Sequence, residues 1–477
     1  MAILFPPSDT FLIDLFILLA SAIAAGELAS RFGLVPLVGQ LLVGIVLGPT
    51  LLGPYIGLGS TTLPAELAGI QFLATFFIMF MAGLHVDPDE IARMPLKTAV
   101  AGVTIFAIPF AVGAPVVHLV MPTLLPTTDL FVALTLSITA LPVMGIMVAE
   151  FGLTGKRLGN FVMACALVNE LTAVTVFAIL LQLTQSGHSS FEAVAVAVLS
   201  VGAFLAAVLA TSRVVTAIRK SAWWRAKPDR MASLWRSREA GFAILMAMAL
   251  GAALYSQLLG LTFLVGAFYA GLLITQAIGK SGGAPRTFVS TFSESGLLIT
   301  QPTQGNERYR AFDSIFTTMS WMFFVPIFFA LVGIEMNLRD VGGIAALGAL
   351  SVLLVMALIT KLVTGVGLTR AVLGTSGVDS VAAGFLLISR GAVELAMAVT
   401  LLADRIFSTP LFTIVALVGL ITTLISPLGA LQAWRSTPAS RAELEQRMPS
   451  LRQGRRLRMG PAIDGPSVPP PTPPPGS

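Results

Sequence analysis

Charge is scarce in this chain: 11% of its 477 residues are Asp, Glu, Lys or Arg, while 56% are hydrophobic. Soluble domains carry roughly a quarter charged residues, so this balance excludes a large water-exposed domain and indicates an integral membrane protein. Cysteine is almost absent. The lone Cys165 excludes an internal disulfide and reads as a small apolar packing residue, and His85, His118 and His188 are too scattered to offer metal-ligand spacing. Basic residues and a small-residue cleavage pattern are missing from Met1 to Thr10, so the first apolar run is expected to stay rather than be removed as a signal peptide. The stretch Gly365-Val366-Gly367-Leu368-Thr369-Arg370 lacks the third glycine of a nucleotide fingerprint and ends an apolar helix, so no cofactor is expected. No nucleophile, base and orienting group cluster in the pattern, which argues against an enzyme.

What the chain does have is apolar runs of the length needed to cross a bilayer, about 20 residues each. They lie near 11–30, 34–52, 66–84, 98–121, 129–150, 158–183, 191–212, 239–256, 261–276, 318–336, 343–369, 380–403 and 409–431. The expected fold is therefore an all-α polytopic membrane protein of about thirteen transmembrane helices. Positive charge is retained on the cytoplasmic side of a membrane, which tests the count. Of the 29 Lys and Arg residues, Arg339 and Arg405 alone fall on one side, Lys361 and Arg390 fall inside the membrane, and all others fall on the opposite side. That asymmetry places the N-terminus outside and the C-terminus in the cytoplasm, and the net charge of +5 needs no nucleic-acid partner to explain it.

The expected organisation is an external segment 1–10, a transmembrane domain 11–431, and a disordered Arg/Pro-rich cytoplasmic tail 432–477 whose arginines can lie against anionic membrane lipid. Within the domain, a first repeat 11–183 and a second repeat 239–431 flank a connector helix 191–212, and 278–314 reads as a polar loop. Two short matches carry the repeat. The third segment ends Gly83-Leu84-His85 and the tenth Gly333-Ile334-Glu335, while Leu42-Val43-Gly44 resembles Leu264-Val265-Gly266. The offset is an odd number of helices, so the repeats are inverted across the membrane, as in many secondary transporters.

Under that pairing the fifth and twelfth segments correspond, and each carries an interruption at mid-membrane: Thr139-Ala140-Leu141-Pro142 in one and Ser389-Arg390-Gly391 in the other. Proline removes a backbone donor and disfavours helix in the residue before it. Unwound backbone inside a bilayer is tolerated only where it faces protein or a water-filled cavity, so both breaks point inward.

Glu170 lies halfway along the sixth segment, directly after Asn169. A carboxylate at that depth costs roughly 2.5–3.5 kcal/mol on insertion scales, which marks it as functional. A site that exchanges a metal ion against protons needs a carboxylate that can hold either, and Glu170 meets that need. The amide oxygen of Asn169, with hydroxyls and freed carbonyls around Ser137, Thr139 and Ala140, can complete an oxygen shell for a hard cation. Lys361 needs a partner, and Glu170 is one choice, as permanent scaffolding or as a switch that opens when the ion binds. Arg390 and Glu394, four residues apart, can neutralise each other. Asp14, Glu27, Asp129, Glu150 and Glu335 lie nearer helix ends, where water reaches them.

These motifs resemble the monovalent cation:proton antiporter family of the second type, which includes bacterial sodium/proton antiporters and potassium efflux systems. The likeness covers most of 11–431 and rests on Pro36-Leu37-Val38-Gly39-Gln40 through Gly48-Pro49, Phe80-Met81-Ala82-Gly83-Leu84, Ser137-Ile138-Thr139-Ala140-Leu141-Pro142, Phe328-Phe329-Ala330-Leu331-Val332-Gly333 and Ser389-Arg390-Gly391-Ala392-Val393-Glu394-Leu395. The resemblance implies a homodimer in a bacterial inner membrane, with a six-helix core moving against a scaffold and two interrupted helices crossing beside the acid of the sixth. In the family that acid is usually aspartate; here it is Glu170, whose extra methylene displaces the oxygens by about one carbon-carbon bond. One obvious carboxylate suggests one cation exchanged for one proton. The rival readings are an uncoupled potassium channel on the same fold and a sensor subunit that binds an ion without moving it.

Overall fold

In a bilayer every backbone N–H and C=O must find a partner within the protein, so an apolar run of sufficient length folds as helix. The computed structural model describes residues 10–32, 34–56, 63–85, 94–185, 238–259, 261–278, 290–292, 298–300 and 318–436, with isolated positions at 199–214 and at 316. The first half of the chain contains α1 (Thr10–Arg31), α2 (Pro36–Leu47), the single turn α3 (Gly53–Ile56), α4 (Ala65–His85), α5 (Leu96–Val120), α6 (Pro126–Thr135), α7 (Leu141–Glu150) and α8 (Arg157–Gln185). The second half contains α9 (Arg238–Leu258), α10 (Phe263–Ile278), a π-helical turn Ser320–Phe324 running into α11 (Val325–Glu335), α12 (Ile344–Leu373), α13 (Gly377–Leu387), α14 (Ala392–Ala403) and α15 (Thr409–Arg435).

Each expected segment has a helical counterpart except the connector 191–212, which lies outside the described residues but for isolated positions; 1–9, most of the loop 278–314 and the tail from 437 lie outside them as well. Seven described stretches are long and apolar enough to cross a bilayer, counting 377–403 as one through its break, and shorter apolar helices accompany them. Within the loop, Ser290–Phe292 and Leu298–Thr300 pair as a short antiparallel hairpin.

The two halves interlock through small residues that let backbones approach. α2 packs on α11 and α4 on α10. A side chain at Gly44 would collide with the carbonyl of Ala330, and one at Gly83 with that of Phe268; Gly39 and Gly266 meet Ala25 in α1 and Ala252 in α9 in the same way.

Both interrupted helices are broken at their centres, α6 from α7 over 136–140 and α13 from α14 over 388–391. Pro142 is not inside the gap. It occupies the first turn of α7, where a missing N–H leaves nothing unsatisfied. The broken backbones cross and touch, with Ala140 N–H donating to Ser389 O at 3.2 Å. Gly391 permits that approach: a Cβ there would stand 2.9 Å from both Ala140 Cβ and Val143 Cγ2.

Gly391→Ala should therefore cost about 1–3 kcal/mol of stability. Gly367→Ala, on an α12 surface with nothing within 4 Å, should be neutral or stabilising by up to about 1 kcal/mol. Thermal melts of the two detergent-solubilised variants check this. Equal midpoints would contradict the close contact.

Candidate functional site

Interrupting a helix in the bilayer interior strands the last carbonyls of one half and the first N–H groups of the other. Side chains from neighbouring helices take up these groups around the crossing. From α8, Asn169 spans the first break: its Oδ1 accepts Thr139 N–H at 2.8 Å and its Nδ2 donates to Ser137 O at 3.2 Å. From α12, Lys361 Nζ donates to the Ile138 carbonyl and, at 2.6 Å, to Thr139 Oγ1. Thr139 Oγ1 in turn donates to Leu387 O at 2.9 Å, tying the first break to the end of α13.

Arg390 belongs to the second break but serves the first. Its Nη1 donates to Thr135 O at 2.7 Å and to Glu394 Oε1 at 3.0 Å, and its Nη2 donates to Leu136 O. The backbone of Arg390 is held by α15, where Thr423 Oγ1 accepts Arg390 N–H at 3.2 Å and donates to Arg390 O at 3.0 Å.

This arrangement follows helix electrostatics. The C-terminal end of α6 carries partial negative charge and attracts the ammonium of Lys361 and the guanidinium of Arg390; the N-terminal end of α7 carries partial positive charge and faces a carboxylate. That carboxylate is Glu170, whose Oε2 accepts Leu141 N–H at 3.3 Å. Its other oxygen, Oε1, is buried with no hydrogen-bond partner. Glu170, Asn169, Lys361 and Glu394 have 0% of their surface exposed, and Arg390 has 1%. Two cations and two carboxylates thus share one water-poor volume, which is neutral when all four are ionised.

The structure gathers Glu170, Asn169, Ser137, Thr139, Lys361, Arg390, Glu394 and Gly391 at the crossing, with Pro142 flanking it. Several contacts differ from those read in the sequence. Glu170 and Lys361 form no ion pair; the lysine is bound instead to backbone and hydroxyl oxygens of the break, which lie nearer its amine. The Ser137 hydroxyl turns back to Ala133 O at 2.6 Å, so Ser137 takes part through its carbonyl. Asp129, expected near water, is buried in the first turn of α6 with one oxygen 2.9 Å from His118 Nδ1. Glu335 accepts a hydrogen bond from Gln71 at 2.8 Å, away from the crossing. Sequence reasoning missed Thr423, one of several hydroxyl residues in α15 that nothing in the chain distinguishes.

One flank of the crossing is sealed by apolar packing. Pro142, Val143, Ala392 and Val393 face Leu37, Ile78, Met81, Ala82, Trp321, Val325 and Phe329 around a small cavity. Among the described residues no three His, Cys, Asp or Glu side chains gather as a resident metal centre requires. Two carboxylates at the crossing each keep one buried oxygen without a hydrogen-bond partner, Glu170 Oε1 and Glu394 Oε2, but Glu394 is paired with Arg390 through its other oxygen. The chemistry available at Glu170, beside a helix N-terminus, is that of a carboxylate able to take up either a proton or a hard cation.

Comparison with known proteins agrees with this architecture. The chain is 25% identical over 422 residues to the Na(+)/H(+)-K(+) antiporter GerN of Bacillus cereus, covering 87% of this chain and 94% of that protein. It is 27% identical over 435 residues to the Na(+)/H(+) antiporter NhaS4 of Synechocystis, covering 87% and 95%. It is 24% identical over 406 residues to the K(+)/H(+) antiporter 1 of Saccharomyces cerevisiae, covering 82% of this chain and 42% of that longer protein. The structure of the sodium proton antiporter MjNhaP1 from Methanocaldococcus jannaschii superposes with a TM-score of 0.58 at 15% identity, covering 88% and 96%, which establishes the same fold. The family model described as sodium/hydrogen exchanger, transmembrane, matches residues 16–431, and the chain belongs to that family.

Proposed function

We propose that this protein exchanges a monovalent cation, Na+ or K+, for protons across a membrane by alternating access, with Glu170 as the site the two ions share. Membership of the exchanger family and a fold shared with a sodium proton antiporter support cation:proton exchange. The relatives are named for Na+, K+ or both, so the name of neither cation is carried over alone.

The observation that carries the site is a half-satisfied carboxylate that, unlike Glu394, has no cationic side chain in contact. Glu170 has one oxygen on Leu141 N–H and one buried oxygen without a partner. An unpaired charge in this setting is costly, so the carboxylate is driven to bind something positive, and a proton and a metal ion are alternatives for the same lone pairs. Ordered exchange follows if the site is emptied of one before it accepts the other.

Lys361 and Arg390 are the charge-compensating groups, and Glu394 neutralises Arg390. Because Lys361 is held by Ile138 O and Thr139 Oγ1, its charge supports the break directly and its position does not depend on the ion. With Glu394 paired to Arg390 and Glu170 alone without a cationic side chain in contact, the exchange is one for one and electrically silent. The conformation described closes Glu170 from both faces, so access requires the crossing to move past the apolar flank formed by α2, α4 and α11. We place the protein as a homodimer in a bacterial inner membrane, N-terminus outside.

Antiport by reconstituted proteoliposomes under an imposed pH gradient tests this reading. Wild type should move cation and proton in opposite directions without generating current, and cation flux without proton counterflow would favour a channel. Glu170→Gln should lower exchange at least about 100-fold while the protein still folds. Glu170→Asp should retain exchange with an altered cation KM. Normal antiport by Glu170→Gln would remove the site assignment.

Two further outcomes follow. Because proton and cation compete, apparent cation affinity should weaken as pH falls, measured as cation KM across a pH series. Lys361→Ala strips Ile138 O and Thr139 Oγ1 of a charged donor, and should lower the melting midpoint by the equivalent of about 1–3 kcal/mol as well as slowing exchange.

A further inference from the structure

We propose that Thr423 is a positioning residue of the transport site, which sets Arg390 in place by substituting for the helical hydrogen bonds that the second break removes; this rests on the cation:proton exchange reading above. In a continuous helix the N–H and C=O of residue 390 would bond one turn away along the same chain. Here neither Arg390 N–H nor Arg390 C=O makes a backbone hydrogen bond among the described residues, although Ser389 N–H reaches Leu386 O at 3.1 Å on one side and Leu395 N–H reaches Gly391 O at 3.3 Å on the other. Both backbone groups of Arg390 are thus left to a side chain.

Thr423 supplies both partners from the middle of α15. Its oxygen accepts Arg390 N–H at 3.2 Å and donates to Arg390 O at 3.0 Å, and its single proton has a second acceptor, the Gly419 carbonyl, at 2.8 Å. A hydroxyl with two acceptors for one proton can hold the break or turn back to its own helix. The adjacent Thr422, equally buried, donates only to Val418 O at 2.8 Å and Gly419 O at 3.0 Å. Neighbouring threonines of the same helix therefore differ in a single respect, contact with the break.

The consequence reaches the ion site through Arg390. Its guanidinium holds the carbonyls of Thr135 and Leu136, where α6 ends, and the next residues, Ser137 and Thr139, are the ones that Asn169 grips beside Glu170. If the backbone of Arg390 shifts, the anchor of the first break shifts with it. Thr423 touches no part of Glu170, so its effect on the cation is indirect.

The test is cation KM in the proteoliposome exchange assay for Thr423→Val, Thr423→Ser and Thr422→Val, with the last two alongside wild type as references. Thr423→Val, which keeps the shape and loses the hydroxyl, should raise KM about ten-fold. Thr423→Ser should restore it, and Thr422→Val should leave it within about two-fold of wild type. In an Arg390→Lys background, Thr423→Val should add less than about two-fold, because residues acting through one group are not additive. If Thr423→Val fails to accumulate, Thr423→Cys, similar in size but a weak hydrogen-bonding group, takes its place with the same expected rise. A KM unchanged by loss of the hydroxyl, an equal rise in Thr422→Val, or full additivity with Arg390→Lys would overturn the inference. Absence of any exchange by wild type would instead overturn the transport reading on which it rests.

Discussion

Non-helical backbone in the interior of a bilayer is the constraint from which the rest of this structure follows. At 136–140 and 388–391 the helical ladder stops, and with no water at that depth each stranded N–H or C=O must be met by another part of the protein. The two breaks meet each other first, through Ala140 N–H and Ser389 O. Everything else at the crossing is recruited to finish that accounting: Asn169 from α8, Lys361 from α12, Thr423 from α15, and Arg390 from the second break itself. The geometry that stabilises the fold is thus the geometry that builds the site.

The same constraint explains why charged residues are tolerated here. A lysine or arginine sealed in protein is costly unless its donors are occupied. The carbonyls freed at the end of α6 are acceptors in excess, so two cationic side chains settle where helix polarity already favours them. Glu394 pairs with Arg390, and Glu170 is left at the opposite pole, against the start of α7. Each carboxylate keeps one buried oxygen without a hydrogen-bond partner, and Glu170 is the one of the two with no cationic side chain in contact. That difference is why we propose Glu170, and not Glu394, as the acid that exchanges its occupant.

Much of this was legible in the chain. Apolar runs and the distribution of Lys and Arg set the helices, and the breaks announced themselves through Pro142 and Ser389-Arg390-Gly391, residue types that a continuous transmembrane helix seldom carries together. Glu170 stood out because an isolated acid at mid-span is expensive. The partners did not stand out. Lys361 bonds to the Ile138 carbonyl, a free acceptor only once the helix is broken, and to the Thr139 hydroxyl beside it, so no charge pattern could have named its partners, and pairing it with Glu170 followed charge where backbone geometry decided otherwise. Thr423 lies far along the chain from Arg390 and is one hydroxyl among several. That Gly39 and Gly266 each press against a carbonyl of a neighbouring helix is a fact of packing that sequence spacing does not encode.

In the proposed exchange Glu170 holds either a cation or a proton and never both. Proton release on cation binding measures that competition: sodium or potassium is added to purified, weakly buffered protein near the pH at which the site is protonated, and the protons liberated are counted against the cation bound. Wild type should release up to one proton per cation, and Glu170→Gln none. Cation binding by wild type without proton release at any pH, or equal release by the Glu170→Gln variant, would rule out a shared carboxylate.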